Sequence, residues 1–456
     1  MPMQGLHRVQ GMARMSTACR WLTTNSKHEQ VNRVRGTRDV LADELQHHRE
    51  VLQVLQQTVE GYGFRSIQTP LLEYTDLFSR SLGDGSDIIQ KEMYTFEDKS
   101  GKSVTLRPEG TAGIVRALIS NKLLSSLPQK LSYSGSMFRY ERPQRGRYRE
   151  FQQFGVEFVG SSGPSVDVEV IAVAADVLDA LGVQDKVVLE LNSLGDYESR
   201  ARYRAALGVY FSAHRNELST DSVNRLERGS VLRILDSKSE IDQKLVADAP
   251  QLSDFLSDES KTRFDAVLTG LSALRISYRQ NPRLVRGLDY YSNTVFEFVQ
   301  QTSDAPDKER TTHGGITVLA GGCYDGLVES LGGHATVCVG WAAGVDRLSL
   351  LREMPTKTVF SVAVVPVLVG DSSNRVLHEA MRIAKVLRRC GLVVHFCHGC
   401  GNMKKQMKTA ERYGSSYAVI LGEAEICKQC VKVKNLEKRE ETEVPVDQLS
   451  SFKFLG

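Results

Sequence analysis

With 456 residues, the chain is too long for one ordinary hydrophobic core, so we expect two or three domains. Hydrophobic residues make up 41% and charged residues 25%, and no apolar run approaches the roughly 20 residues of a membrane-spanning helix, so we expect no membrane partner. The formal net charge of +3 excludes a strong overall field, and any nucleic-acid partner must therefore meet local basic patches.

The N-terminal residues differ in composition from the rest of the chain. The first 28 residues contain several serines and threonines, no acidic residue, and four basic residues: Arg8, Arg14, Arg20 and Lys27. This composition is typical of an organelle transit peptide, so we predict that residues 1–30 direct the chain to a mitochondrion or another organelle and lie outside the fold. A disordered cytosolic tail is the alternative, and starts at Met12 or Met15 would give a cytoplasmic form.

Hydrophobic periodicity and turn residues predict alternating helices and strands over the first 354 residues. Before residue 160 the predicted elements are a helix at 42–62, strands from 64, at 93–96 and at 103–107, a helix at 109–121, and strands at 131–139 and 150–159. Later elements are a helix at 166–181, strands at 186–191, 295–299 and 317–320, and a strand–helix unit ending near 354. Residues 196–281 are charged and mostly helical in pattern, which predicts an inserted subdomain.

The last hundred residues have a different pattern. Short apolar runs at 362–367, 393–396 and 417–421 alternate with helical segments. Because buried parallel strands read as continuous apolar runs, we predict a separate α/β domain from about residue 361.

The first candidate site is an arginine-rich connection between two predicted strands, within residues 138–151. Five arginines lie within eleven residues, at positions 139, 142, 145, 147 and 149. They repel one another, so an anion is their natural complement, and the planar guanidinium binds phosphate oxygens in pairs at any physiological pH. A solvated charged hairpin is the alternative interpretation.

The pattern of the predicted strand after this loop favours the interpretation that the loop belongs to a binding surface. Its two-residue period places Gln153 and Glu157 on one face and Phe154, Val156 and Phe158 on the other. Polar groups aligned on a sheet with an apolar reverse face indicate a ligand site rather than a solvated hairpin.

Two further segments carry candidate site residues. Residues 286–291, Arg-Gly-Leu-Asp-Tyr-Tyr, could form a pocket wall or a core turn with a surface ion pair. Residues 340–348 are predicted to form a strand-to-helix turn of small residues. Small residues permit either close approach of the backbone to a ligand or tight packing of a helix on a sheet. Tight packing explains the glycines but not Arg347. The sequence has no P-loop or dinucleotide fingerprint, so arginines and a metal ion would have to hold any ATP.

Together these segments resemble the class II aminoacyl-tRNA synthetases, and specifically the histidyl-tRNA synthetases of bacterial and organellar type, from about residue 34 to the C-terminus. Residues 63–77, 138–157 and 340–350 resemble class II motifs 1, 2 and 3. Residues 106–111, Leu-Arg-Pro-Glu-Gly-Thr, and residues 286–291 resemble the two segments that distinguish the histidyl enzymes.

The resemblance implies a fold, a reaction and partners. It implies an α+β catalytic domain over residues 31–355, with an antiparallel sheet flanked by helices and a helical insertion at 196–281, then an α/β anticodon-binding domain over 360–456. It also implies a homodimer formed through motif 1. The carboxylate of L-histidine attacks the α-phosphate of ATP, and the 3′-terminal ribose of tRNA(His) then accepts the histidyl group.

The resemblance assigns four arginines to the phosphates of ATP. Arg139 contacts the α-phosphate, Arg347 the γ-phosphate, and Arg286 both the α-phosphate and the histidine carboxylate. Arg147 contacts phosphates from the motif 2 loop, and Mg²⁺ is expected with ATP. Positive charge is the main requirement here, because an anion attacks a polyanion.

The resemblance also implies which side chains recognise histidine. Six residues are expected to surround it: Glu109, Thr111 and Gln153 at the amino group, Glu157 and Tyr291 at the imidazole, and Tyr290 on the pocket wall. The assignment is chemically consistent, since imidazole offers a donor to a carboxylate and an edge to a phenol.

Contacts with tRNA are expected from both domains. Arg142 and Gln144 correspond to residues that lie near the acceptor end of the tRNA. In the C-terminal domain, four cations lie on or near one predicted helix and could contact phosphates or sugars: Lys404, Lys405, Lys408 and Arg412. A solvated helix face is the alternative for any one of these four.

The chain departs from the family pattern at two positions. Cys323, within Ala-Gly-Gly-Cys-Tyr-Asp-Gly at 320–326, stands where family members usually have arginine, so the contacts of that arginine are left open. Asp346 in motif 3 replaces the more usual glutamate, which is a milder change.

Two C-x-x-C pairs near the C-terminus have the spacing of a zinc site: Cys397 with Cys400, and Cys427 with Cys430. The first pair follows a strand, the second is predicted at a hairpin tip, and the resembling domain needs no metal. We therefore predict free thiols and no metal ligands in the protein.

Three rival functions share parts of the pattern. A regulatory paralogue that binds histidine lacks the tail domain, a sensor of uncharged tRNA carries a kinase segment, and another class II synthetase would not carry segments 106–111 and 286–291. This chain keeps the tail, Arg139 and Arg347 and has no kinase segment, which favours the histidyl enzyme.

Overall fold

The computed structural model describes residues 31–83, 86, 88–235, 237, 239–288, 290–301, 315–353, 360–369, 373–398 and 402–454. The chain divides into two compact units, residues 1–353 and 354–456. The predicted transit peptide, residues 1–30, lies outside the described residues. Within the described ranges, no helix is both long enough and apolar enough to cross a membrane.

The first unit alternates helices and strands. Its helices are α1 Ala42–Gly61, α2 Thr75–Leu82, α3 Thr111–Ser120, α4 Pro164–Ala180, α5 Tyr197–Ala213, α6 Thr220–Glu227, α7 Glu240–Ala247, α8 Asp258–Ala273, α9 Leu327–Ser330 and α10 Val345–Leu351. Its strands are β1 Arg65–Ser66, β2 Leu72–Tyr74, β3 Tyr94–Glu97, β4 Ser103–Leu106, β5 Gln129–Phe138, β6 Glu150–Val159, β7 Val187–Ser193, β8 Arg279–Gln280, β9 Ser292–Gln300, β10 Thr317–Cys323 and β11 Cys338–Gly344.

A mixed sheet forms the centre of this unit. Among the described residues its strand order is β1-β5-β6-β11-β10-β9-β7-β8. Neighbours from β5 to β7 are antiparallel, and the short edge strands β1 and β8 run parallel to β5 and β7. Helices α1, α4, α8 and α10 supply apolar side chains to the core on one face of the sheet. The predicted α+β fold, a sheet flanked by helices, is confirmed.

Strand β6 shows the predicted alternation of its side chains. Phe154, Val156 and Phe158 lie in the core beneath the helices, and Glu157 is buried outside that core. Trp341 of β11 packs against Phe154, with ring centroids 6.1 Å apart, and its indole N–H donates to the Val170 carbonyl of α4 at 3.1 Å. Truncating a buried aromatic side chain usually costs about 3–5 kcal/mol, so these contacts hold the sheet firmly on the helices.

A small antiparallel sheet, in the order β2-β4-β3, leads into α3. Arg107, directly after β4, is buried: Nη1 donates to the Thr69 carbonyl at 3.1 Å, and Nε donates to the Ser136 carbonyl of β5 at 3.0 Å. An added Cβ at Gly135 would lie 2.1 Å from Arg107 Nη2, so only glycine lets β5 accept this guanidinium. These bonds fix the start of α3 against the central sheet.

Helices α5 to α8 lie between β7 and β8, in the region where an inserted helical subdomain is predicted. Three of them begin at side-chain caps, and Asp196 accepts from the Ser199 N–H at 2.7 Å at the start of α5. The core of this helical insertion includes Leu207 and Phe211, and it extends into Leu284 and Tyr291 before β9.

The second unit consists of β12 Ser361–Pro366, α11 Ser373–Arg389, β13 Val393–Phe396, α12 Met403–Arg412, β14 Tyr417–Leu421, α13 Glu423–Cys427, β15 Cys430–Asn435 and β16 Glu441–Pro445. Its sheet has the order β13-β12-β14-β15-β16 in the described residues. The three strands predicted from apolar runs are parallel, as expected, and β15 and β16 add an antiparallel hairpin. The predicted hairpin tip at the second cysteine pair is wrong, because Cys427 ends α13 and Cys430 begins β15.

Candidate active site

A cavity of about 380 Å³ opens on the first unit. Ten of the predicted site residues line it: Glu109, Thr111, Arg139, Arg147, Gln153, Glu157, Arg286, Tyr290, Tyr291 and Arg347. They come from the start of α3, from β5 and β6 with their connection, from the segment before β9, and from α10. Arg142 and Gln144 are exposed on the β5–β6 connection and do not line the cavity.

Two of the arginines are held by main-chain carbonyls. Arg139 Nε donates to the Pro108 carbonyl at 2.8 Å, and the guanidinium lies over the Phe151 ring, 5.3 Å from its centroid. Arg347 donates to the Gly146 carbonyl at 3.1 Å and to the Thr317 carbonyl at 2.6 Å. Burial and the neighbouring Arg147 charge lower the pKa of Arg347, but a guanidinium keeps its proton in such surroundings. Both side chains therefore present fixed positive charge.

Arg286 is oriented by a carboxylate and an aromatic ring. Its Nη1 donates to Glu297 of β9 in an ion pair, and its guanidinium lies 5.6 Å from the centroid of the Tyr291 ring. The pKa of Arg286 is raised: burial acts to lower it, but the nearby Glu297 and Tyr291 outweigh burial. The buried Nε of Arg286 has no hydrogen-bond partner within the described part of the chain, and the side chain lines the cavity.

The buried carboxyl of Glu157 also lines the cavity. One oxygen accepts from Thr111 Oγ1 at 2.7 Å, and the other accepts from the Tyr324 hydroxyl at 2.5 Å. Burial raises the pKa of Glu157 to about 8, although both hydrogen bonds oppose the shift. Gly340 makes this possible, because a Cβ there would lie 1.9 Å from Glu157 Oε2.

Glu109 caps the first turn of α3. Its carboxylate accepts from the backbone N–H of Thr111 at 2.7 Å and of Ala112 at 2.8 Å. Burial raises the pKa of Glu109, while these two backbone bonds and Arg139 act to lower it. Gln153 lies near the same end of the cavity, with its amide oxygen 3.5 Å from the Tyr133 hydroxyl.

Aromatic rings complete the cavity wall. The Tyr290 and Tyr291 centroids lie 4.7 Å apart, and Tyr290 meets Tyr324 edge to face at 5.7 Å. Burial raises the pKa of Tyr324 well above its ordinary value, with the Glu157 charge as the next cause, so the phenol stays protonated and donates. Asp289, between the two cavity segments of this loop, lies outside the described residues.

The arginines of the β5–β6 connection have different partners. Arg147 pairs with Glu141 at 2.7 Å on the cavity wall. Arg149 instead stacks on Tyr140, 3.6 Å from the ring centroid, and donates through Nη1 to the Arg35 carbonyl at 3.1 Å. The arginine-rich pattern therefore combines a structural role with cations that face the cavity.

The N-terminal segment of the described chain is joined to this connection. The backbone N–H of Arg149 donates to the Gly36 carbonyl at 2.9 Å. Arg38 stacks on Tyr148 at 4.4 Å and donates to Asp346 Oδ1 at 2.5 Å. Because Asp346 lines the cavity and precedes Arg347, residues 35–38 contact both the β5–β6 connection and the start of α10.

Comparison with known proteins decides the family. The sequence profile described as histidyl-tRNA synthetase matches residues 36–348, and that of the anticodon binding domain matches residues 361–452. The histidine–tRNA ligase of Gluconobacter oxydans is 47% identical over 422 residues, covering 92% of this chain and 98% of that protein. That of Rhodospirillum rubrum is 48% identical over 419 residues, covering 92% and 97%. The crystal structure of apo histidyl-tRNA synthetase from S. aureus aligns with a TM-score of 0.74 at 33% identity, covering 92% of this chain and 99% of that one.

The chain belongs to the histidyl-tRNA synthetase family. Both family domains are matched in the expected order, which bears out the resemblance found in the sequence.

Within this family pattern, Cys323 has a structural explanation. Its thiol is buried and donates to Asp167 Oδ1 at 3.3 Å, and it does not line the cavity. Arg263 of α8 pairs with Asp167 at 3.0 Å and lies 3.7 Å from the Cys323 sulfur. The helical insertion thus supplies a guanidinium next to the position where the resemblance led us to expect an arginine.

The four basic residues of the second unit that were predicted to contact tRNA are accessible on the surface. Lys404, Lys405, Lys408 and Arg412 lie on α12 and are exposed. Of the cysteines in the two C-x-x-C pairs with zinc-site spacing, Cys397 is buried and Cys427 is exposed, and Cys400 lies outside the described residues.

The residues that were not singled out from the sequence include Tyr324 and Arg233, which line the cavity, and Arg38, which pairs with Asp346. Tyr324 follows the Gly-rich segment, and an aromatic residue beside glycines is the sequence feature that could have indicated its place in the site. Arg233 lines the cavity from the helical insertion, and no local pattern marks it.

Replacing Tyr324 with phenylalanine tests its hydroxyl. The buried carboxyl of Glu157 would lose a donor, which usually costs about 1–3 kcal/mol. We expect the KM for histidine in adenylate formation to rise roughly 10-fold or more, with the fold intact. Tyr203→Phe is the matched control, because its buried hydroxyl donates to the Pro250 carbonyl inside the helical insertion. Equal histidine KM values in the two variants would contradict the role of Tyr324.

Proposed function

We propose that the cavity of the first unit is the site where histidine reacts with ATP. Membership of the family makes the chain a histidine–tRNA ligase, which uses ATP to join histidine to its tRNA. One observation chiefly supports the location: Arg139, Arg286 and Arg347 line the same cavity as the buried carboxyl of Glu157.

We assign the phosphates to the arginine side of the cavity. Arg139 binds the α-phosphate, Arg347 the γ-phosphate, and Arg286 both the α-phosphate and the histidine carboxylate. Carbonyl bonds hold the guanidiniums of Arg139 and Arg347 before ATP arrives, so little reorganisation accompanies the reaction. Arg147, paired with Glu141, can exchange this partner for a phosphate.

Magnesium is proposed to bind with the phosphates of ATP. Mg²⁺ commonly keeps several waters and takes one or two carboxylates beside phosphate oxygens. Glu92 and Glu141 line the cavity and carry carboxylates that fit this requirement. When bound, the ion neutralises phosphate charge that repels the histidine carboxylate.

We assign histidine to the carboxyl-rich side of the cavity. The amino group is proposed to contact three residues: Glu109, Thr111 and Gln153. Glu157 and Tyr291 read the imidazole, and Tyr290 forms the wall. A cavity that bonds both ring nitrogens rejects apolar isosteres, because its own buried polar groups would be left unpaired.

The tRNA is proposed to contact both units. Arg142 and Gln144, exposed on the same connection as the cavity-lining residues Gly146 and Arg147, are assigned to the acceptor end. The exposed cations of α12 are assigned to the anticodon half of tRNA(His). Replacing any one of these cations with alanine should weaken tRNA binding and lower its salt dependence, because one phosphate would no longer be neutralised.

A homodimer formed through residues 63–77 is also proposed. Leu71, Leu72 and Tyr74 in this segment are 45%, 47% and 55% exposed, which is an apolar surface that a partner copy could cover. A monomer in sedimentation experiments would contradict the dimer.

A mitochondrial or other organellar location is proposed from residues 1–30, and failure of these residues to carry a reporter into organelles would contradict it.

The function is tested by ATP–pyrophosphate exchange. We expect the purified protein to exchange pyrophosphate into ATP only when histidine is present, because the first half-reaction is reversible. Histidine binding without exchange would instead indicate a regulatory paralogue. Exchange that depends on another amino acid would refute the assignment of the cavity.

A further inference from the structure

We propose that Arg233, which the helical insertion supplies, is a positioning residue for the histidine-specific segment 286–291. The proposal rests on the proposed function, because it concerns the same cavity. Arg233 lines that cavity together with Arg286, although the two side chains come from different parts of the fold.

The backbone of Arg233 is fixed on the insertion. It lies in a 3₁₀ turn, Val231–Ile234, whose first and last residues are buried. The N–H of Arg233 donates to the Ser230 carbonyl at 3.1 Å, and Arg225 Nη1 donates to the Arg233 carbonyl at 3.0 Å. The side chain therefore starts from a well-defined point.

The guanidinium of Arg233 bonds the backbone next to Arg286. Its Nη2 donates to the carbonyl oxygen of Gly287. Residues 281–288 form neither helix nor strand, so fewer main-chain bonds restrain this loop than the neighbouring β9. The Gly287 carbonyl belongs to the peptide between Gly287 and Leu288, so the bond restrains the backbone one residue after Arg286 and thereby limits movement of the loop that carries its side chain.

The insertion supports the same segment through its apolar core. Leu284 and Tyr291 belong to that core, and Leu288 and Tyr290 pack against it. The loop is therefore anchored at both ends by apolar contacts, and Arg233 adds a polar bond in the middle. We infer that the insertion is a structural part of the amino-acid site.

A second contact joins the insertion to the cavity wall. Arg228 donates to the side-chain oxygen of Gln90. Gln90 lies between Ile88 and Glu92, which both line the cavity. The insertion thus touches two segments of the wall, the helical turn Ile88–Glu92 and the loop before β9, and Arg233 makes the contact beside the proposed catalytic cation.

Loss of Arg233 is expected to give a specific kinetic defect. Arg233→Ala should lower kcat for histidine-dependent exchange about 10- to 100-fold, as a small misplacement of a reacting group does. The KM for ATP should change less than about threefold, because Arg139, Arg147 and Arg347 are held by other partners.

Arg233→Ala and the unaltered protein are compared by their rates per active site. The number of active sites is measured from the burst of adenylate, so that unfolded protein does not contribute. Arg233→Lys keeps a donor that can reach the Gly287 carbonyl and should recover part of kcat. Arg215→Ala is the matched control, because Arg215 is an exposed arginine of the same insertion, paired with Glu227. It should behave like the unaltered protein.

A double variant separates positioning from direct contact with the substrate. In the Arg286→Ala background, adding Arg233→Ala should lower the rate less than about twofold, because the two act through one group. Multiplicative losses, or a normal kcat in the single variant, would overturn the proposal. If the unaltered protein shows no histidine-dependent exchange, the proposed function fails instead, so the two failures are distinguishable.

Discussion

Replacing Arg286 with alanine should slow histidyl-adenylate formation by roughly 100-fold or more, as loss of one preorganised charge donor does. The buried Nε of Arg286 has no partner in the described residues, and its Nη1 is held by Glu297. Glu297 therefore orients the side chain, which lines the cavity where the proposed reaction takes place. Single-turnover measurement of adenylate, with saturating ATP and histidine, reports this step.

The stability of this variant needs its own control. Alanine leaves the largely buried carboxylate of Glu297 without its cation, although Thr317 Oγ1 still donates to it at 2.7 Å. Arg286→Gln removes the charge and the Nη donors but keeps the stem of the side chain, with an amide near the place of the guanidinium Nε. Arg283→Ala, three residues earlier and exposed, is the matched substitution outside the cavity. Rapid adenylate formation by a folded Arg286→Gln protein would refute the role of this cation.

Replacing Glu157 with glutamine should raise the KM for histidine by roughly 10- to 100-fold, because the amide cannot reproduce all the hydrogen bonds that the carboxyl makes to the imidazole and its neighbours. Thr111 and Tyr324 both donate to this carboxyl, and an amide offers them one oxygen rather than two. The KM for ATP should change little. Glu150→Gln, at the exposed start of the same strand, is the matched control and should leave histidine binding unchanged.

The same variant gives a pH signature in the empty protein. The pKa of Glu157 is raised from 4.5 to about 8, so the folded protein binds this proton more tightly than the unfolded chain does. Its contribution to stability is full below about pH 4.5 and is lost as pH rises to about 8. The melting temperature of Glu157→Gln relative to the unaltered protein should therefore increase over this interval and then level off. A constant difference would contradict the raised pKa.

The sequence predicts the parts of the site that depend on local periodicity. The two-residue period of β6 separates Glu157 from the apolar core, and the small residues before Arg347 indicate the turn that admits it to the cavity. The apolar runs around Val364 and Val419 likewise predict buried parallel strands. In each case the pattern and the structure concern the same few consecutive residues.

Contacts between distant residues could not be predicted in this way. The hydroxyl of Tyr324 reaches Glu157 across 167 positions, and Arg233 reaches Gly287 across 54. Arg139 and Arg149 lie in one loop, yet Arg139 lines the cavity and Arg149 stacks on Tyr140. Residue type and spacing do not distinguish the two arginines. Which of them faces the cavity depends on the packing of the whole domain.

The bracing of the motif 2 loop by residues 35–38 limits where a leader could be cut. The carbonyls of Arg35 and Gly36 accept from Arg149, and Arg38 holds Asp346 beside Arg347. A protease that removed the leader would have to cleave upstream of Arg35 to spare these bonds. The proposed leader, residues 1–30, therefore ends only a few residues before the contacts that hold Arg149 and Asp346.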